Sequence, residues 1–146
     1  MEQYIPLVRL SAVREKSLVY HGEILDSAEK AAKFIQSFLY NTDREYVVAC
    51  CTDAKMHPVS VEIISIGSLQ LCPLEPREAF KNAILSNAAY LLLYHTHPSG
   101  DPQPSNADAE MTKRIKASGE LLGIPLVDHI ILGDGKIYSF LQEGRI

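Results

Sequence analysis

The chain has 146 residues, of which 47% are hydrophobic, and it carries a formal net charge of −4. This length and composition predict one globular domain, residues 1–146, with a sizeable core. No apolar run approaches the roughly 20 residues that a membrane-spanning helix needs, and the first residues lack the basic start of a signal peptide. We therefore expect a cytoplasmic protein, without the basic surface typical of nucleic-acid-binding domains.

Hydrophobic periodicity predicts strands and helices that alternate along the chain. The predicted strands cover residues 7–10, 17–20, 46–51, 59–66, 90–97, 124–132 and 136–140. The predicted helices cover residues 26–39, 76–89 and 106–118, and their start signals are Asp26 with Glu29, Pro76, and Ser105. The second helix should turn Ala79, Phe80, Ala83 and Ile84 inward, and Gly119 and Gly123 should mark the end of the third. These elements predict an α/β fold with a mixed, curved sheet flanked by helices, closed by a hairpin at Gly133-Asp-Gly135.

The most informative segment follows the apolar run at residues 90–94. It contains His95-x-His97, then seven residues, Ser105, two residues, and Asp108. If the strand continues through His97, both imidazoles point to the same face. Three prolines and a glycine stiffen the loop that follows, and Ser105 as N-cap would place Asp108 at N3, directed back toward the strand end. Two imidazoles and a carboxylate suffice for a catalytic zinc, which keeps one position open for water.

Each of these residues also has a simpler explanation. A lone H-x-H pair is weak evidence for a metal, and Ser105 with Asp108 alone resembles a variant capping box. His129 alternates with apolar residues and is expected to be a hydrogen-bonded structural histidine rather than a fourth ligand. Signatures of the zincins and of the nucleobase deaminases are absent from the sequence. Buried free thiols are the predicted state of the three cysteines, Cys50, Cys51 and Cys72.

The same segment resembles the JAMM motif of JAB/MPN+ metalloproteases. The longer stretch is similar to the RadC family within that clan, through HPSGDPxPS, K-x-x-GELLGI, DHIILGDG and the upstream PREAF. The similarity runs from about Leu25 to the C-terminus. Two positions depart from the usual pattern, since Thr96 stands where many relatives have Asn and Glu75 stands where His is common. The resemblance implies a JAB/MPN fold, with a layout like that of cytidine deaminases, and one zinc ion per chain bound by the two histidines and Asp108.

The resemblance also implies the catalytic roles. In the family a glutamate at the start of an upstream strand is the general base, and Glu45 occupies that position, with Glu62 as the reserve candidate. From its position alone, Glu45 would be a solvated strand-end residue. Ser105 would donate a hydrogen bond to the developing oxyanion. Ser99 and Asp101 lie in the same loop and are candidates to line a substrate groove, although loop polarity explains them equally well.

These features together predict a zinc-dependent hydrolase of peptide or isopeptide bonds that uses a metal-activated water. Two other classes stay open: a DNA repair-associated accessory or nucleic-acid-processing protein, which the family name suggests, and a non-catalytic metal-bearing interaction module. The local basic cluster Lys113, Arg114 and Lys116 is predicted to be a solvated helix face, so we expect this chain alone to bind DNA weakly. The sequence leaves the substrate, the oligomeric state and the identity of the metal open.

Overall fold

A computed structural model of the chain describes residues 1–39, 42–67 and 74–146. Within these ranges the chain forms three helices and five strands. In chain order they are α1 (Ala28–Gln36), β1 (Tyr46–Thr52), β2 (Pro58–Ile66), α2 (Pro76–Leu85), β3 (Tyr90–Thr96), α3 (Asn106–Leu122), β4 (Leu126–Leu132) and β5 (Ile137–Ser139). The predicted α/β class is confirmed.

The strands form one mixed sheet in the order β2-β1-β3-β4-β5. β1 is antiparallel to both β2 and β3, β3 is parallel to β4, and β4 is antiparallel to β5. Because parallel neighbours need a crossover connection, α3 lies between β3 and β4 in the sequence. β3 is central and is buried from Leu91 to Thr96, which explains why it is a nearly continuous apolar run.

Helices cover both faces of the sheet, as predicted. On one face, α1 packs through Ile35 against a cluster that includes Leu92 and Tyr94 of β3. On the other face, α2 and α3 pack through residues such as Phe80 and Ile115 against a cluster with Leu91 and Leu93. Because side chains alternate along a strand, His95 of β3 points to the face that α2 and α3 cover.

The N-terminal strand predictions are wrong. Residues 1–20 contain neither helix nor strand, and residues 1–17 are all exposed. The β-branched and leucine-rich stretches at 7–10 and 17–20 have the composition of strands, but they do not join the sheet. Composition measures how well a residue fits a half-buried sheet surface, so it carries no information about whether a neighbouring strand is present.

Several helix boundaries also differ from the predictions. The N-cap of α1 is Ser27, whose hydroxyl accepts a hydrogen bond from the Lys30 amide at 3.2 Å. Asp26 instead forms an ion pair with the Lys30 side chain at 2.7 Å. α1 ends at Gln36 and α2 at Leu85, before the predicted ends at 39 and 89. Ile84 is 53% exposed, so its predicted inward orientation is wrong.

The third helix is longer than predicted. α3 continues through Gly119 to Leu122 and ends at Gly123, which adopts a left-handed conformation with φ 71°. Gly119 serves packing rather than helix termination, since a Cβ there would lie 2.6 Å from the Ile124 carbonyl oxygen. The hairpin at Gly133 is confirmed by the hydrogen bond from its amide to the Lys136 carbonyl at 2.9 Å. In the described part of the chain, none of the helices has the length and hydropathy required to cross a bilayer.

Candidate metal centre

The loop between β3 and α3 is fixed against the β4–β5 turn. The His97 amide donates to the Leu132 carbonyl at 2.9 Å, and the Asp134 amide donates to the Gly100 carbonyl, also at 2.9 Å. Gly100 has φ +88°, and a Cβ on Gly133 would lie 2.4 Å from the Gly100 oxygen. Only glycine at both positions permits this approach. The loop therefore holds the start of α3 at a defined position relative to the end of β3.

Ser105 and Asp108 form the predicted capping box at the start of α3. The Ser105 hydroxyl accepts a hydrogen bond from the Asp108 amide at 3.1 Å, and the Ser105 amide donates to Asp108 Oδ2 at 2.7 Å. This reciprocal pair satisfies two backbone amides that the helix itself leaves unpaired. It also orients the Asp108 carboxylate toward the end of β3.

The two histidines and Asp108 converge, as the motif predicts. Asp108 Oδ1 lies 3.0 Å from His95 Nδ1, and Asp108 Oδ2 lies 3.3 Å from His97 Nε2. The imidazole centroids are 4.7 Å apart. Burial alone would raise the pKa of Asp108, but the neighbouring imidazoles and the Ser105 amide outweigh it, so the pKa lies well below its ordinary value. Asp108 is therefore an ionised carboxylate at neutral pH, as a metal ligand must be.

Glu45 lies on the other side of His95. Its Oε2 is 3.7 Å from His95 Nε2, and its side chain is 33% exposed, compared with 2% for Asp108. One ligand atom each from Glu45, His95 and His97 can be chosen so that all lie within 4.8 Å of one another. Asp108 is not in that group of three, although its oxygens lie 3.0 and 3.3 Å from the two imidazoles. The site therefore contains two carboxylates beside the histidines that are candidates for the third ligand.

Thr96, between the two histidines, positions Glu45 from the opposite strand. The Thr96 hydroxyl accepts a hydrogen bond from the Tyr46 amide at 2.9 Å and donates to the Arg44 carbonyl at 3.3 Å. The backbone is thus held on both sides of Glu45. In the sequence, Thr96 stands out only because it differs from the usual family pattern. A local sequence pattern cannot reveal its hydrogen-bond partner Tyr46, which is 50 residues away.

The donor atoms fit a divalent metal. His95 is 1% exposed, and neither of its ring nitrogens makes a hydrogen bond of good geometry. The Nδ1–H of His97 donates to the Asp101 carbonyl at 2.8 Å, which leaves Nε2 as a lone-pair donor. Histidines that bind a metal through one ring nitrogen typically donate a hydrogen bond from the other, as His97 Nδ1 does here. The Asp101 carbonyl thus helps to orient the His97 ring. This contact is separate from the groove-lining role that the sequence suggests for Asp101.

An open cavity of about 250 Å³ gives access to the centre. It is lined by Glu45, His95, His97, Pro98, Ser99, Ser105, Ala107 and Asp108. Ser99 thus lies where the sequence suggested a groove, whereas the Asp101 side chain is outside this lining. A molecule that enters the cavity would meet Glu45, Ser105 and the candidate metal-binding side chains together.

His129 is the buried, hydrogen-bonded histidine that the sequence predicts. Its Nδ1 lies 2.7 Å from Thr112 Oγ1, and the Thr112 hydroxyl donates to the Asp108 carbonyl at 2.7 Å. The single hydroxyl hydrogen is used there, so His129 Nδ1 is the donor to Thr112. Burial lowers the pKa of His129 to about 3, so the ring is neutral at pH 7. This chain of hydrogen bonds connects β4 to the first turn of α3, which carries Asp108.

Removing the Thr112 hydroxyl should destabilise the fold. Thr112→Val leaves the His129 Nδ1–H and the Asp108 carbonyl without this buried partner, and an unmet buried polar group costs about 1–3 kcal/mol. We expect the free energy of unfolding, measured with urea, to fall by that amount. The matched control is Thr52→Val, because among the described residues the hydroxyl of buried Thr52 has one hydrogen-bond partner, the weakly accepting thioether Met56 Sδ at 3.7 Å. Equal losses in the two variants would contradict a specific role for the Thr112–His129 contact.

Other candidates from the sequence lie outside the centre. Glu62 lies on β2 opposite Ala49, and burial raises its pKa. In the described part of the chain, it does not belong to the cluster of Glu45, His95 and His97. Cys50 and Cys51 are buried free thiols, as predicted, and burial raises the pKa of both. Cys72 lies outside the described residues.

The basic cluster on α3 is paired with acidic side chains. Lys113 lies 3.1 Å from Glu110, and Lys116 lies 3.6 Å from Glu120. Arg114 reaches Glu75 at the start of α2, at 3.0 Å. The positive charges of the basic cluster are thus offset by neighbouring carboxylates. Glu75, which differs from the usual family pattern, connects α2 to α3 through its ion pair with Arg114.

Comparisons with known proteins identify the family of the chain. The model of the RadC-like JAB domain matches residues 25–145. A UPF0758 protein of Thermotoga maritima is 35% identical over 97% of this chain and 66% of its own length. Another, of Desulforudis audaxviator, is 45% identical over 80% of this chain and 50% of its own length. The chain thus spans between half and two thirds of these curated relatives. It belongs to the RadC-like JAB domain family.

Proposed function

We propose that the chain is a zinc-dependent hydrolase of peptide or isopeptide bonds. The observation that carries the proposal is the convergence of Asp108 on His95 and His97, at 3.0 and 3.3 Å, with Glu45 at 3.7 Å from His95. In this proposal His95, His97 and Asp108 hold the zinc ion. Three protein ligands with an accessible cavity are typical of catalytic rather than structural zinc sites.

The remaining residues supply the acid–base and electrostatic steps. A zinc ion at this site would supply Lewis acidity, which lowers the pKa of water and polarises a carbonyl. Glu45, partly exposed in the cavity wall, accepts a proton from the attacking water and transfers it to the leaving amine. The Ser105 oxygen accepts the capping hydrogen bond from Asp108, so its own hydroxyl hydrogen remains available to donate to the oxyanion.

The test of the proposal is a metal analysis of the purified protein combined with a cleavage screen. The screen should contain a peptide library and isopeptide-linked peptides, with zinc-loaded and chelator-treated protein measured side by side. We expect cleavage that requires the metal. A zinc-loaded protein that cleaves nothing in either set would contradict the hydrolase and favour the non-catalytic metal-bearing module.

Ser105 should separate capping from catalysis. Glycine is a fair N-cap and costs only a few tenths of a kcal/mol relative to serine, so Ser105→Gly should keep its zinc and its melting temperature. Loss of an oxyanion donor should lower turnover by about 10²–10³-fold. Ser105→Thr retains a hydroxyl and should keep part of the activity. Turnover of Ser105→Gly equal to the parent would leave Ser105 with the capping role only.

The DNA-associated alternative predicts tight binding of the chain to DNA, whereas the proposed hydrolase does not. Since the basic cluster on α3 is paired with acidic side chains, we expect weak duplex binding at ~150 mM salt and a shallow salt dependence. Affinity for DNA falls roughly as the −0.9Z power of salt when Z phosphates are contacted. Fluorescence anisotropy across a salt series measures this slope. Tight binding with a slope that corresponds to about six or more contacts would favour the DNA function.

A further inference from the structure

The first 20 residues, here called the N-terminal arm, place a series of apolar side chains in solvent. They are 68–103% exposed: Tyr4, Ile5, Leu7, Val8, Leu10, Val13 and Val19. Single exposed apolar residues are ordinary, but a contiguous apolar surface marks an interaction site. The arm therefore has the composition of a strand and, within the described chain, no partner strand.

The arm leaves the body of the protein beside the start of β2. Tyr20 packs edge-on against Phe34 of α1, with ring centroids 6.1 Å apart. A few residues later, the Leu25 amide donates to the Met56 carbonyl at 2.9 Å. Met56 lies two residues before Pro58, the first residue of β2.

β2 offers an edge that such an arm can join. It is the last strand at one end of the sheet, it is nine residues long, and in the described chain it pairs only with β1. Val59, Ile63 and Ile66 are 48–55% exposed on it. A long edge strand with apolar side chains is a template for another strand. The opposite edge, β5, has only three residues.

We propose that the arm adds to the β2 edge of a second copy, and that two chains exchange arms to form a twofold-symmetric dimer. Residues 4–20 can span about 56 Å at 3.3 Å per residue, which exceeds the roughly 30 Å length of β2 and leaves enough chain to cross between copies. Reciprocal exchange of an element is a low-cost route to such dimers. The proposal is independent of the hydrolytic activity.

The exposed area of the arm is sufficient for a stable dimer. Strand addition can pair about nine arm residues with the nine residues of β2, and residues 4–12 carry five of the exposed apolar side chains: Tyr4, Ile5, Leu7, Val8 and Leu10. At about 100 Å² each they correspond to at most about 500 Å² on each arm, or about 1,000 Å² for the two arms, and the β2 surface that they cover adds to this total. Standard stable interfaces bury about 1,200–2,000 Å². An arm folded back onto its own β2 would bury the same area per chain, but in the described chain the arm makes no such pairing.

Light scattering on the full chain tests the proposal. We expect the parent to have twice the 16.2 kDa mass of one chain, and Leu7→Glu/Leu10→Glu in the arm to raise the dimer dissociation constant by about 100-fold or more. Ile63→Lys on the edge should also weaken the dimer. The control is Leu121→Glu, because Leu121 is 88% exposed on α3 and should leave the mass unchanged.

Mixing the variants identifies the contact. The arm variant keeps an intact edge and the edge variant keeps an intact arm, so an equimolar mixture should regain heterodimers through one native arm–edge contact. A parent that stays monomeric at ~100 μM would overturn the proposal, as would a monomer whose arm amides resist hydrogen exchange. Dimers unaffected by the arm variant, or a mixture without heterodimers, would also overturn it.

Discussion

Replacing both histidines, as His95→Ala/His97→Ala, is expected to abolish the binding of the one zinc ion per chain that we predict for the parent. His95 is 1% exposed, its ring nitrogens lack well-formed hydrogen bonds, and Asp108 lies within 3.3 Å of both rings. Without imidazoles the site keeps only carboxylates, which favour harder cations than zinc. Elemental analysis of the purified proteins measures the loss.

A matched histidine variant makes the result specific. His57→Ala removes a surface histidine that pairs with Asp53 at 3.1 Å, and it should bind zinc like the parent. Because a ligand that binds only the folded state raises stability, added zinc should raise the melting temperature of the metal-free parent and of His57→Ala, and leave the double variant unchanged. Full zinc content in the double variant would show that the metal is bound elsewhere.

The parts of the site that depend on short-range sequence could be predicted. The capping box needs only residues three apart, and the loop that carries it is stiff because of its prolines and Gly100. His95 and His97 share a face because strand side chains alternate. These three local rules favour the convergence of His95, His97 and Asp108, and the contacts of the loop with Leu132 and Asp134 complete it.

The long-range contacts could not be predicted from local pattern. Glu45 reaches His95 because the β1–β3 register pairs Val47 with His95, and only the family resemblance indicated this. The hydroxyl contacts of Thr96 and Thr112 likewise depend on strand and helix pairings that no single segment encodes. The strand prediction for the N-terminal arm is wrong for a different reason. The composition of the arm is typical of a strand, but the described chain contains no strand beside it.

Two carboxylates near the histidines leave the third ligand to be decided by physical argument. Asp108 is buried and fixed by the Ser105 amide at 2.7 Å, whereas Glu45 is 33% exposed and lies farther from His95. A buried, oriented carboxylate is the better fixed ligand. A partly exposed one can exchange protons with water and with a leaving group. Within the proposed function, this difference favours Asp108 as the metal ligand and Glu45 as the group that transfers protons.

Glu45→Gln is expected to retain zinc while turnover falls by about 10²–10⁴-fold, the usual loss when a general base is removed. Glutamine keeps the size of the side chain but cannot accept the proton. Asp108→Asn is the matched control, because the same carboxylate-to-amide change at a ligand should lose zinc as well as activity. Zinc content and turnover on one cleavable peptide, measured for both variants, separate the roles. Loss of zinc from Glu45→Gln, with zinc kept in Asp108→Asn, would exchange the two assignments.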